Sequence, residues 1–266
     1  MSTFRERLHH LQSLKKSTLC AGIDPDLEKI PACLKDSDNP IFTFCKDIIE
    51  KTAPYVIAYK FNFAFFEIYG AQGWETLAAL KRLVPDDCLT IADAKRGDIG
   101  NSARNYAAAI FDKLGFDAVT VNPYMGADAS APFLAYKDKG VFFLCLTSNP
   151  GAADIQLLGA DSPLYMHVAR LIKEWDTARN CGMVVGATKL AQLEELSQLC
   201  PDIPFLIPGV GAQGATTEDV LKSLAGKSAL IAASRSILYA GNDSDFASAA
   251  ADAASEMQSI MAQNHP

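Results

Sequence analysis

Short apolar runs alternate along this chain with segments whose apolar residues recur at helical spacing. The runs are continuous and rich in β-branched or aromatic residues, which is typical of parallel strands buried on both faces. The segments between them have one apolar face, as covering helices do. The predicted strands cover 18–24, 55–62, 89–95, 118–123, 141–148, 182–187, 204–210 and 228–234, and the predicted helices cover 44–52, 74–83, 103–115, 129–140, 163–175, 189–199, 217–224 and 245–263.

The alternation predicts eight strand-then-helix units in a chain of 266 residues. Such a pattern at this length fits a (β/α)8 TIM barrel better than an open, doubly wound α/β sheet. Phe4, Leu8 and Leu11 recur at helical spacing before the first strand, which predicts an extra N-terminal helix. No linker or low-complexity stretch divides the sequence, so we expect residues 1–266 to form a single barrel domain.

Composition narrows the function classes. The formal net charge is −7 and no long basic run is present, which argues against nucleic-acid binding. No apolar run is long enough to span a membrane, and the N-terminus lacks the apolar core of a secretory signal. An organellar presequence is less favoured, because the first strand follows almost at once. The seven cysteines include no Cys-x-x-Cys pair, which favours a cytoplasmic protein with reduced thiols.

Polar residues interrupt the apolar runs near the predicted carboxyl ends of the strands. In a TIM barrel these ends form the active-site face. Charges are densest in the stretch "IADAKRGDIG", residues 91–100, which follows a buried strand. The residues that we place at this face are Asp24, Lys60, Asp93, Lys95, Asp98, Ser148, Pro208, Ser234 and Arg235.

The charges of the third strand carry the clearest chemistry. Asp93 and Lys95 are two residues apart, so a regular strand would place them on one face, and Lys60 would join them from the neighbouring strand. Alternating Lys and Asp side chains are costly to desolvate unless they pair with one another. Such a cluster holds a cationic acid beside an anion. A purely structural salt bridge explains one pair but not this cluster.

The stretch "GVGAQG", 209–214, matches the dinucleotide-binding pattern letter by letter. It follows the seventh strand rather than the first, however, and no acidic residue follows about 20 positions later, so we reject that interpretation. Loops after strands seven and eight of TIM barrels commonly bind phosphate, which makes Gln213 and Arg235 candidate phosphate donors. Ser148, in "TSNPGA", could read a polar ring or belong to a plain turn. The four histidines form no cluster with metal-ligand spacing.

With these residues assembled, the chain resembles the orotidine 5'-monophosphate decarboxylases over nearly its whole length. The family signature Asp-x-Lys-x-x-Asp reads here Asp93, Lys95 and Asp98. The wider segments "DAKRGDIGNSA", "KFNFAFFE" and "PGVGAQG" resemble the longer, bacterial-type subgroup. The resemblance implies decarboxylation of orotidine 5'-monophosphate to uridine 5'-monophosphate in pyrimidine biosynthesis, with no cofactor and no metal ion, in a homodimer.

The resemblance also implies a role for each matching residue. Lys95 is the expected proton donor, Asp93 lies beside the substrate carboxylate, and Lys60 pairs with Asp93. Asp98 is expected to complete the partner subunit's site. The expected substrate contacts are Asp24 and Lys60 on the ribose, Ile99 and Ser102 across the subunit interface, Ser148 on the pyrimidine, and Pro208, Gln213, Ser234 and Arg235 around the phosphate. The family often has threonine at the position of Ser102 and glycine at that of Ser234.

Three alternatives fit the sequence less well. Metal-dependent sugar-phosphate aldolases and decarboxylases share Asp-x-Lys-x-x-Asp, but they are expected to place a carboxylate where this chain has Lys60, and a lysine there repels Mg²⁺. A catalytically silent nucleotide-phosphate binding protein would need the phosphate loop but not the charge cluster. A structural barrel leaves the clustering of charge at one mouth unexplained.

Overall fold

The computed structural model describes residues 2–159, 161–210 and 215–264. Eight strands alternate with helices along these residues. The strands are β1 (Leu19–Ile23), β2 (Ala58–Asn62), β3 (Leu89–Arg96), β4 (Ala118–Val121), β5 (Gly140–Leu146), β6 (Cys181–Val185), β7 (Phe205–Pro208) and β8 (Ala229–Ala233). The helices are α1 (Phe4–Lys15), α2 (Pro40–Thr52), α3 (Ala64–Glu67), α4 (Gly70–Leu83), α5 (Gly100–Ala108), α6 (Ala127–Leu134), α7 (Leu164–Trp175), α8 (Leu190–Leu199), α9 (Thr217–Leu224), α10 (Arg235–Leu238) and α11 (Phe246–Gln263).

The strands close into a barrel in the order β1 to β8, with β8 pairing back onto β1, and every neighbouring pair is parallel. The predicted (β/α)8 barrel and the extra N-terminal helix are therefore confirmed. Within the described ranges, no helix is long and apolar enough to cross a lipid bilayer.

The strand boundaries differ from the predicted ones by up to three residues. The second strand begins at Ala58 rather than at Tyr55, because Tyr55 lies in the turn that ends α2. The fifth strand ends at Leu146, so Ser148 lies two residues beyond it. The third predicted helix, 103–115, is α5 followed by a π-helical turn at Ala109–Lys113. Periodicity does not encode such ends, because they depend on loop hydrogen bonds.

The N-terminal helix α1 covers the amino-terminal end of the barrel. Phe4, Leu8 and Leu11 are buried against residues from inside the barrel. The ring of Phe4 meets that of Phe142 edge to face, with 5.7 Å between centroids. Gly140 lies close against this ring, and a Cβ there would come within 2.7 Å of Phe4. The apolar spacing seen in the sequence thus marks a helix that fills the barrel floor.

The alternation of side chains along each strand shows which residues face the barrel axis. Ala58, Ile91 and Ala118 pack in the same interior cluster as α1. Because successive strand residues alternate between faces, Lys60 and Thr120 also face the axis, two positions toward the carboxyl end. The barrel interior is therefore apolar at its amino-terminal end and has polar side chains toward its carboxyl-terminal end.

Candidate active site

Asp93 is the centre of the charge cluster at the carboxyl mouth. Its Oδ2 accepts a hydrogen bond from Nζ of Lys60 at 3.1 Å, and its Oδ1 accepts one from Nζ of Lys95 at 2.6 Å. The hydroxyl of Thr120 donates to the same Oδ1 at 2.9 Å. Lys60 also lies 3.6 Å from Oδ1 of Asp24. The structure therefore brings Asp24, Lys60, Asp93 and Lys95 together. The sequence predicted the grouping of Lys60, Asp93 and Lys95.

Mutual pairing keeps the buried Asp93 and Lys60 charged. Burial by itself raises the pKa of Asp93, but Lys60 and Lys95 outweigh it and lower the pKa from 3.8 to about 2. Burial likewise acts to lower the pKa of Lys60, yet Asp24 and Asp93 raise it above its ordinary value. At neutral pH the mouth therefore holds a fixed carboxylate between two ammonium groups.

The position of Lys95 depends on an irregularity in β3. Ala92 pairs with Val119 and Arg96 with Val121, so three residues of β3 face a single residue of β4. Within this bulge Lys95 has φ of +46°, in the left-handed region, which costs about 1–2 kcal/mol for a residue with a Cβ. The contact between Asp93 and Lys95 is the predicted one, but regular strand alternation is not its basis. The side chain of Lys95 is 48% exposed, so it faces the open mouth.

Asp24 connects the cluster to the loops after β1 and β8. The hydroxyl of Ser234 donates to Asp24 Oδ2 and lies 3.1 Å from the carbonyl of Gly22. The hydroxyl of Tyr239 donates to the backbone carbonyl of Asp24 at 3.2 Å. The serine that stands where glycine is frequent in the resembling family thus orients this carboxylate.

A pocket of about 220 Å³ opens beside the cluster. Arg235, the first residue of α10, lies in its wall with an exposed side chain. Gln213, the other predicted phosphate donor, lies outside the described residues. The pocket wall includes Asp24, Lys60, Pro208, Ser234, Arg235 and Tyr239.

Ser148 lies after β5, close to the next strand's loop. Its backbone packs so tightly against Gly186 that a Cβ on that glycine would come within 2.8 Å of the Ser148 Cβ. This contact holds the backbone of Ser148 against the end of β6. Ser148 is not among the residues of the 220 Å³ pocket wall, so its predicted contact with a ring stays a prediction.

Asp98, Ile99 and Ser102 do not join the cluster within this chain. The carboxylate of Asp98 accepts a hydrogen bond from the backbone N–H of Ile99 at 2.8 Å, and the described ion pairs do not include it. Ile99 is 54% exposed, and Ser102 lies on the exposed side of α5.

Two polar residues near the cluster, Thr120 and Arg96, were given no role from the sequence. Thr120 is 1% exposed and bonds to both Asp93 and Lys95. It reads in the sequence as one more β-branched strand residue, so only the register of β3 against β4 reveals it. Arg96 donates to Glu67 at 2.7 Å and lies over the rings of Phe63 and Tyr106. These contacts connect the end of β3 to α3 and to α5.

The described residues contain no group of three His, Cys, Asp or Glu side chains close enough to hold one metal ion. The carboxylates of Asp24 and Asp93 are bridged by the ammonium of Lys60. A cation at that position occupies the place that a divalent metal would need between the carboxylates.

Comparisons with known proteins agree on one family. Residues 17–250 match the model of the orotidine 5'-phosphate decarboxylase / HUMPS family. An orotidine 5'-phosphate decarboxylase of Dehalococcoides mccartyi is 46% identical over 270 residues, covering 98% of this chain and 97% of that protein. The one from Herpetosiphon aurantiacus is 45% identical and covers 99% of this chain and 100% of that protein. Among solved structures, Leishmania donovani OMP decarboxylase superposes with a TM-score of 0.83 at 36% identity, covering 98% of this chain and 99% of that one.

Proposed function

The chain belongs to the orotidine 5'-phosphate decarboxylase / HUMPS family, and from this premise we propose that it is a carboxy-lyase that converts orotidine 5'-monophosphate to uridine 5'-monophosphate and carbon dioxide in pyrimidine biosynthesis. Relatives at 45–46% identity over nearly the full length are named for this reaction. The observation that carries the mechanism is the contact of 2.6 Å between the Lys95 ammonium and Asp93 at the mouth of the barrel.

In the proposed reaction, the bond between the pyrimidine ring and its carboxylate breaks, and the electron pair stays on the ring carbon. This carbanion lies in the ring plane, where no adjacent π system delocalises it, so a fixed positive charge has to stabilise it. The ammonium of Lys95 supplies that charge and then gives the carbon a proton. Solvent can return the proton to Lys95, because its side chain is half exposed.

Asp93 acts on the substrate before the bond breaks. Its pKa of about 2 keeps it ionised at neutral pH, so it repels the bound carboxylate. Loss of neutral carbon dioxide relieves this repulsion, which raises the ground state relative to the transition state. Lys60 holds Asp93 in place at 3.1 Å and prevents it from taking up a proton instead.

The far side of the pocket binds the rest of the nucleotide. Arg235 lies in the pocket wall together with Pro208 and Ser234, and its guanidinium offers a bidentate site for the phosphate. Gln213 is the second proposed donor. In this proposal Asp24 and Lys60 bind the ribose hydroxyls, and Ser148 binds the pyrimidine. Binding energy at the phosphate then positions the carboxylate at the charge cluster.

The proposed reaction is tested without added metal. We expect chelator-treated protein to consume orotidine 5'-monophosphate and to release uridine 5'-monophosphate and carbon dioxide in equal amounts, at a rate unchanged by the chelator. The measurement is the loss of orotate-ring absorbance, with chromatography of the product. Loss of activity that Mg²⁺ restores would point to the metal-dependent sugar-phosphate branch. Nucleotide binding without turnover would point to a silent binding protein.

We further propose a homodimer in which Asp98 completes the partner's site, and a cytoplasmic location. The exposed Ile99 and the separation of Asp98 from its own cluster support the dimer. All seven cysteines are free thiols, and six of them are buried, which suits a reducing compartment.

The shared site is tested by mixing two inactive variants, Lys95→Ala and Asp98→Ala. If each site takes Lys95 from one subunit and Asp98 from the other, every mixed dimer contains one intact site. Random exchange of equal amounts then restores about a quarter of the wild-type activity per subunit, by the symmetry of a two-fold dimer. Activity that stays at the level of the separate variants would mean that each site is built from one chain.

A further inference from the structure

We propose that Thr120 of β4 is a positioning residue that sets the backbone of Lys95 and the carboxylate of Asp93 in one arrangement. The inference rests on the proposed decarboxylase function and adds a buried residue to the charge cluster. Thr120 is 1% exposed, and its hydroxyl is engaged by Lys95 and Asp93, so it acts through these neighbours.

The first step is the register between β3 and β4. Thr120 is the single β4 residue between the pairs Ala92–Val119 and Arg96–Val121. The three β3 residues opposite it cannot all pair with the β4 backbone. The backbone N–H of Lys95 donates instead to the Thr120 hydroxyl oxygen at 3.0 Å. The Thr120 hydroxyl thus replaces the backbone carbonyl that would accept this hydrogen bond in a regular pair of strands.

The second step is the direction of the hydroxyl proton. A backbone N–H can only donate, so the Thr120 oxygen accepts from Lys95 and its own proton has to point elsewhere. It points to Oδ1 of Asp93, 2.9 Å away. The same Oδ1 accepts from Nζ of Lys95 at 2.6 Å. Both ends of Lys95 are therefore connected to Oδ1 of Asp93, the backbone N–H through the Thr120 hydroxyl and the ammonium directly.

The third step concerns the backbone of Lys95. Four residues other than glycine have positive φ among the described residues, and the other three, Lys16, Arg179 and Ala225, each end a helical segment. Lys95 alone of these lies within a strand. A strained conformation persists only where the surroundings hold it, and the Thr120 hydroxyl holds the N–H of that residue. The geometry that aims the ammonium thus depends on this hydroxyl.

The test compares Thr120→Val with Thr120→Ser. Valine keeps the shape and removes the hydroxyl, whereas serine keeps the hydroxyl. We expect Thr120→Val to lower kcat between about 10- and 100-fold, because a small misplacement of a catalytic group costs about that much. KM should change by less than about threefold, since ground-state binding does not use the hydroxyl. Thr120→Ser should stay within about threefold of wild type in both constants.

A matched control lies at the other end of the barrel. Thr90 of β3 is also buried. Its hydroxyl accepts a hydrogen bond from the backbone N–H of Asp117 at 3.2 Å and donates one to the carboxylate of the same residue at 2.8 Å. Thr90→Val should lower thermal stability about as much as Thr120→Val while leaving kcat within about twofold of wild type. Equal losses of kcat in the two valine variants would show a general effect of stability and would overturn the proposal.

Other outcomes are also decisive. A Thr120→Val enzyme with wild-type kcat, or a serine variant as slow as the valine one, would remove Thr120 from the mechanism. If Thr120→Val does not fold, Thr120→Ala removes the same hydroxyl with a smaller side chain. The same result is expected of it, a large loss in kcat with little change in KM. Failure of the proposed function is separate, because it would appear as a wild-type protein that does not decarboxylate orotidine 5'-monophosphate.

Discussion

Lys95→Ala is expected to lower kcat by at least about 10⁴-fold, because the variant loses both a fixed positive charge at the carbanion and its proton donor. Binding of the product uridine 5'-monophosphate should change far less. Lys95 is half exposed, and Asp93 keeps its contacts with Lys60 and Thr120. The measurements are steady-state kinetics on orotidine 5'-monophosphate and calorimetric titration with the product.

Two further variants separate the parts of this effect. Lys95→Arg keeps the positive charge but carries a guanidinium that does not give up its proton at neutral pH, so it should bind nucleotide and remain nearly inactive. Lys46→Ala removes an exposed lysine that pairs with Glu50 on α2 and should leave turnover unchanged. Near-normal turnover in Lys95→Ala would remove Lys95 from the chemistry.

Lys60→Met is expected to have the largest effect on stability, about 3–5 kcal/mol at pH 7. The ammonium of Lys60 lies buried between Asp24 and Asp93, at 3.6 and 3.1 Å. Methionine has similar length but no charge, so it leaves two carboxylates without their shared cation, and breaking a buried ion pair in this way is strongly destabilising. Turnover should fall as well, because Asp93 loses the group that holds it.

The pH dependence identifies the cause. In the wild type, Asp93 has a pKa of about 2 instead of 3.8, so it contributes stability above about pH 4 that is lost as the pH falls toward 2. In Lys60→Met, burial is no longer offset by Lys60, and the pKa of Asp93 rises. A raised pKa makes protonation favour the folded state. The difference in unfolding free energy between the two proteins should therefore shrink from pH 7 to pH 4, as measured by urea unfolding.

The control for this experiment is Lys29→Met. Lys29 lines the same pocket but its side chain is 57% exposed and pairs with Asp26 at 2.8 Å, and an exposed pair contributes only about 0–1 kcal/mol. Its effect on stability should be small and nearly the same at both pH values. A difference for Lys60→Met that stays constant between pH 7 and pH 4 would contradict the role of the buried carboxylates.

The barrel was predictable because burial imposes a pattern on the sequence. A strand covered on both faces has to be a continuous apolar run, and a covering helix needs one apolar face. Helix α9 was predicted with its observed bounds, since Thr216 caps it and its apolar residues repeat cleanly. Strand ends were less accurate. Tyr55 looks like a strand residue but belongs to a turn, because a loop hydrogen bond outweighs its β propensity.

The charge cluster was predictable because its charges stand out against an apolar background. The structure brings Lys60, Asp93 and Lys95 together, and their roles stay predictions. Thr120 was missed because a threonine in a strand is ordinary, and its importance arises only from the bulge opposite it. The sequence also could not show that Lys95 adopts a left-handed backbone, since no glycine or turn signal marks the position. Register between strands is a tertiary property, and single-residue patterns do not contain it.

Helix α1 has a consequence for how the chain assembles during synthesis. It is translated before every strand, yet Gln12 bonds to the carbonyl of Ala229, 217 positions later, and the ring of Phe4 rests on Phe142. Its apolar face therefore has no complete partner until β8 has left the ribosome. This helix is made before every strand of the barrel and is among the last elements to be buried, and until then its apolar residues are available to chaperones or to other nascent chains.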